Sequence, residues 1–152
     1  MTGMRNPVAA ARKILEMGPR FVVVKKGEHG ALLIHEDGLG ALPAYPAEKV
    51  IDPTGAGDTF AGGMMGAIAS GAAGGSPGSF GQILRALAHG TVVASFNIEE
   101  FSLGRLKSLK SGQLKKRYSE YLKMIHVHEG KKAVAAKPAK KPVKAAKKGK
   151  KK

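Results

Sequence analysis

The run Asp52-Pro53-Thr54-Gly55-Ala56-Gly57-Asp58-Thr59-Phe60-Ala61-Gly62-Gly63 constrains this chain more than any other stretch. It follows an extended apolar segment, Lys49–Ile51, which is expected to be a strand. It leads into Met64-Met65-Gly66-Ala67-Ile68-Ala69, expected to continue a helix of small residues from Thr59 to Ser70. A glycine-rich turn that opens a helix is an anion site. The backbone amides of Gly55, Ala56 and Gly57 are expected to lack carbonyl partners, and the helix dipole adds positive potential beside them. Phosphate suits such a nest.

Asp58 adds a second function to that cradle, because it places a carboxylate in the first helical turn beside the same amides. The dipole favours its ionised form, which can accept the proton of an attacking hydroxyl while the amides stabilise charge on a transferred group. The plainer reading is a tight turn with Asp58 as a capping residue.

The full run DPTGAGDTFAGGMM resembles the second signature of the PfkB, or ribokinase-like, family of carbohydrate and nucleoside kinases, at every position from Asp52 to Met65. The resemblance extends from about Val8 through FVVVKKGEHGALLI to the helices near Ile125. It implies ATP-dependent phosphorylation of a sugar or nucleoside hydroxyl, with Asp58 as base and Gly55, Ala56 and Gly57 as anion hole. It also implies that Lys25, Lys26, Gly27, Glu28, His29 and Gly30 lie against the nucleotide, chiefly through backbone, and that His89 lies near the adenine. Asp52 and Thr54 match positions that hold a monovalent cation, usually K+, in many members. Magnesium would arrive with ATP, held by phosphates and water. Without the resemblance, Lys25–Gly30 reads as an ordinary turn, His89 as a core or surface residue, and Asp52 as a carboxylate bonded to its own turn.

Such kinases are about twice as long as the folded part of this chain. The match is to the C-terminal half, so the first glycine-rich signature and most of the sugar-contacting residues have no counterpart here. The expectation is a truncated or split kinase whose acceptor site needs a complementing N-terminal half or a second copy, and which is a poor catalyst alone.

Order along the chain supports an α/β layered sheet of ribokinase-like (Rossmann-like) type, incomplete, over residues 1–128, with a disordered basic tail over 129–152. Asn6-Pro7 starts a helix as N-cap and first-turn proline. Phe21–Val24 reads as a buried strand, Ala31–Ile34 as the next strand, joined to it by a hairpin or a sharp strand-to-strand corner, and Leu39–Ala47 as an edge. Helices follow from Phe80, capped by Ser79, to about Ser95, then over Ser102–Leu109 and Ser111–Ile125.

The tail carries much of the charge. Residues 131–152 contain eleven lysines and no acid, out of a formal net charge of +15. Such a segment cannot bury enough apolar surface to fold. It suits salt-dependent binding of nucleic acid without sequence choice, which makes a noncatalytic nucleic-acid-binding or interaction protein the alternative function; it suits equally a solubilising appendage. Cysteine is absent, so disulfides and thiolate metal sites are excluded. Apolar runs such as Phe21–Val24 are too short to span a bilayer, and a cytoplasmic protein without membrane contact is the default expectation.

Overall fold

The computed structural model describes residues 2–126. The tail over 129–152, with its proposed nucleic-acid role, lies outside the described residues.

Helix α1 (Pro7–Leu15) begins as its sequence dictates: Asn6 Oδ1 accepts the Val8 and Ala9 amides at 3.0 Å. Strands β1 (Phe21–Lys25), β2 (Ala31–His35) and β3 (Gly38–Leu42) form one antiparallel sheet in the order β1-β2-β3. Phe21 pairs with His35 and Lys25 with Ala31, while Ala31 also pairs with Leu42. β2 is central and mostly buried. β1 was expected to be buried, yet Phe21–Val24 are only half-buried, because the strand has a neighbour on one side alone.

Lys49–Ile51 is a second departure: it forms no strand. The Ile51 amide donates to Ile98 O at 2.7 Å and the Asp52 amide to the same oxygen at 3.3 Å. A carbonyl beyond the end of a helix thus satisfies donors that a strand would have given to a sheet.

Helix α2 (Ala56–Ala69) starts three residues before the expected Thr59 and packs along α3 (Phe80–Asn97), which Ser79 caps by accepting the Gln82 amide at 3.3 Å. The core lies between this pair and the sheet, with Leu33, Phe60, Met64, Ile83, Leu87, Val92 and Phe96 buried together. Glycines set the closeness of α2 to α3. A Cβ on Gly63 would stand 3.0 Å from Val93 Cβ and 3.2 Å from the Gly90 Cα. Buried His35 ties the sheet to the loop before α3: its Nδ1 accepts the Asp37 amide at 3.0 Å, which leaves Nε2–H to donate to Gly78 O at 2.9 Å.

Helices α4 (Gly104–Ser108) and α5 (Ser111–Ile125) close over the far end of α3. Arg117 donates to Glu99 at 2.6 Å and to Ser95 Oγ at 3.1 Å, lying 3.5 Å over the Phe96 ring; Arg105 donates to the same Glu99 at 3.0 Å. Buried Tyr121 donates its hydroxyl to Pro43 O at 2.6 Å. This clamp fixes the C-terminal end of α3, from which Asn97 and Ile98 reach the Asp52–Gly55 turn.

Candidate active site

The turn into α2 is shaped by Gly55, at φ 77° and ψ −1°, a left-handed conformation that a side chain disfavours. The Asp52 carboxylate Oδ1 accepts the Thr54 amide at 2.9 Å, closing the residues before it. A hydrogen bond with the Thr54 side chain, then the one with the Thr54 amide, holds the Asp52 carboxyl below the usual carboxylate range; desolvation opposes them and the Ser102 backbone adds a smaller pull downward.

The expected set of free amides needs one correction. Ala56 N–H donates to Pro53 O at 3.1 Å, because the proline turn directs that carbonyl back onto the first helical residue. The amides of Gly57 and Asp58 have no protein partner among the described residues, and with Gly55 N–H they are the donors left for an anion. In the sequence the carboxylate is the conspicuous feature of Asp58, and its amide becomes a candidate donor only once the Pro53 turn is seen to take Ala56 N–H instead. The Asp58 side chain is exposed, and so is Gly57.

A cavity of about 720 Å³ lies beside this helix start, lined by Lys25, Gly27, Glu28 and Gly30 on one side and by Pro53, Ala56, Gly57 and Phe60 on the other. Four of the six residues of the 25–30 turn and the α2 start thus face one space. Lys25 crosses it, donating from Nζ to Gly57 O at 3.1 Å. Tyr45, Thr91, Ala94, Ser95 and Ile98 add to the wall. Sequence reasoning passed over them, since the small and hydroxylated positions of α3 look like ordinary packing residues. Lys26 and His29 are exposed on the outer side of the turn and do not line the cavity, nor do Gly55 and Asp58.

The two glycines of the 25–30 turn differ in what they do. Gly30, at φ 87°, lies against the chain's own Leu42, Pro43 and Ala44 backbone, where any Cβ would collide. Gly27, at φ 59°, has open space where a Cβ would be. Close approach by a ligand is therefore open at Gly27.

His89 sits apart from that cavity. Its ring stacks on Tyr118, with centroids 3.9 Å apart and planes 14° from parallel. Burial lowers its pKa below the ordinary histidine range, opposed in part by a hydrogen bond with the Ala72 backbone. The imidazole is thus held neutral in the fold while the unfolded chain protonates near about pH 6.5. The unfolded state binds more protons as pH falls through that window, so stability falls there and is flat above it. Denaturant unfolding of wild type and His89→Asn should show the gap between them changing in the variant's favour toward about pH 5. A gap constant with pH would show that His89 does not carry the effect.

An antiparallel sheet backed by paired helices, with a glycine turn opening the first of them, is a ribokinase-like α/β arrangement. A fructokinase double mutant from Vibrio cholerae O395, solved with fructose, ADP and potassium ion, superposes with a TM-score of 0.66 over 77% of this chain and 36% of its own, at 23% identity. Ribokinase from Thermotoga maritima gives a TM-score of 0.54 over 76% and 34%, at 27% identity. Among curated relatives, a cytidine kinase from Thermococcus kodakarensis is 39% identical over 67 residues, 43% of this chain and 24% of that protein. The model of the pfkB family carbohydrate kinases matches residues 3–109, and the chain belongs to that family. It spans about a quarter of the curated relative and about a third of each solved chain.

Proposed function

We propose that this chain carries the phosphoryl-transfer side of a kinase that moves the γ-phosphoryl group of ATP to an alcohol oxygen of a sugar or a nucleoside. The observation that carries the reading is the pair of unpartnered amides, Gly57 and Asp58, at a helix start that shares a cavity with the Lys25–Gly30 turn. Phosphates of the nucleotide lie between the two, with the Lys25 ammonium beside Gly57 adding positive charge. The acceptor oxygen bonds to the γ-phosphorus as the bond from that phosphorus to the β,γ-bridging oxygen breaks, and ADP leaves. Asp58 takes the hydroxyl proton. Magnesium arriving with ATP would neutralise phosphate charge and would be held by phosphate oxygens and water rather than by side chains of this chain. His89 belongs to this reading as an adenine contact outside that cavity, where its ring is held by the stack on Tyr118.

Family membership and the cytidine kinase, fructokinase and ribokinase relatives support the acceptor class, a sugar or nucleoside. A complementing N-terminal half or a second copy completes the acceptor pocket. Calorimetric titration of the full chain with ADP and magnesium tests the nucleotide side, for which one-to-one saturable binding is expected. No binding at millimolar ADP would sink the reading. A second reading rests on the eleven lysines of residues 131–152, which suit nucleic acid. Removing those residues should abolish salt-dependent binding of duplex DNA and leave ADP affinity unchanged; DNA binding that survives would exclude the tail as its source.

A further inference from the structure

Oxygens beside the α2 turn, of the kind a monovalent cation needs, each accept at least one of the chain's own N–H groups. Asp52 Oδ1 accepts the Thr54 amide, and Ile98 O accepts the amides of both Ile51 and Asp52. Thr54 O accepts Asn97 Nδ2 at 2.8 Å. Asn97 is 1% exposed, and its Oδ1 accepts the Thr59 hydroxyl at 3.2 Å. One buried carboxamide therefore bridges the residue before Gly55 and the first turn of α2, pinning both flanks of the left-handed glycine.

A potassium ion needs several oxygens turned toward one point. Here an amide NH2, whose hydrogens carry partial positive charge, is aimed at one of those oxygens and repels a cation from it. We propose that Asn97 stands in for a monovalent cation at this turn, so that the anion hole of this chain forms without potassium. Asn97 is thus a positioning residue. The consequence for nucleotide binding rests on the kinase reading, whereas cation binding itself is measured without nucleotide.

Thallous ion, a potassium mimic observable by thallium NMR, is titrated into the full chain and into Asn97→Asp, and ADP affinity is measured in choline chloride and in potassium chloride at equal ionic strength. Wild type should show no saturable thallous binding and equal ADP affinity in both salts. Asn97→Asp, which replaces the donor with an anionic acceptor, should gain saturable thallous binding. Asn97→Ala should lose about tenfold in ADP affinity in choline, the loss of one well-made hydrogen bond, and recover most of it in potassium. A purely structural asparagine would weaken binding equally in both salts, which would overturn the stand-in role. Saturable thallous binding by wild type that Asp52→Asn removes would overturn the proposal outright. If wild type binds no ADP, the kinase reading fails, and the thallous titration still decides the cation question.

Discussion

On the proposed kinase reading, Asp58→Asn should lower turnover by about 10³-fold, the magnitude that loss of a general base produces. Nucleotide binding should survive. The donors proposed for phosphate are the backbone amides of Gly57 and Asp58 itself, and an amide side chain leaves both in place. Removing a negative charge next to the phosphates is expected to hold ADP affinity constant or tighten it. Asp58 is exposed, and its interaction with the helix dipole is worth under about 1 kcal/mol, so the fold should tolerate the change. Steady-state kinetics with a saturating sugar or nucleoside, beside an ADP titration of the same variant, separates the roles. Unchanged kcat would remove Asp58 from the chemistry. Loss of ADP binding together with kcat would instead make it a structural cap.

Much of this organisation was legible in the chain. Asn6-Pro7 and Ser79 announce their helices because capping is a local hydrogen-bonding requirement, met within three residues. The glycine run around Gly55 was legible for the same reason: a positive φ and free amides are properties of a few consecutive residues. What escaped notice depends on distant partners. Lys49–Ile51 has the composition of a strand, yet its donors go to Ile98, nearly fifty residues away. Asn97 looks like the unremarkable end of an apolar helix, and only the fold shows that its carboxamide spans Thr54 and Thr59. Gly30 sits in the turn that the resemblance sets against the nucleotide, and the atoms that crowd its Cβ position belong to the chain's own Leu42–Ala44. His89 stacks on Tyr118, from a helix whose own pattern spoke only for packing.

Gly90→Ala should be among the most damaging small substitutions in the chain, although it adds a single methyl group and favours the helix intrinsically. The new Cβ would stand 2.5 Å from the Phe60 backbone oxygen and 3.3 Å from Met64 Cβ. Neither can rotate away, because one is backbone and the other is fixed to it. Relief requires α3 to back off from α2, and the start of α2 is where the candidate anion donors sit. Overpacking of this kind costs about 3 kcal/mol, against a gain of about 1 kcal/mol from replacing a mid-helix glycine. The net is a loss of about 2 kcal/mol, which lowers the melting temperature by roughly 6 °C for a domain of this size. Gly62→Ala supplies the comparison, since nothing lies within 4 Å of its added Cβ. There the helix term acts alone and the melting temperature should rise by roughly 3 °C. Thermal unfolding of both variants reads the difference directly. Equal shifts would mean that the close approach of α2 and α3 at Gly90 does not set the spacing. With Gly90→Ala lowered and Gly62→Ala raised, the close approach of α3 to α2 at Phe60 and Met64 traces to the absence of one methyl group.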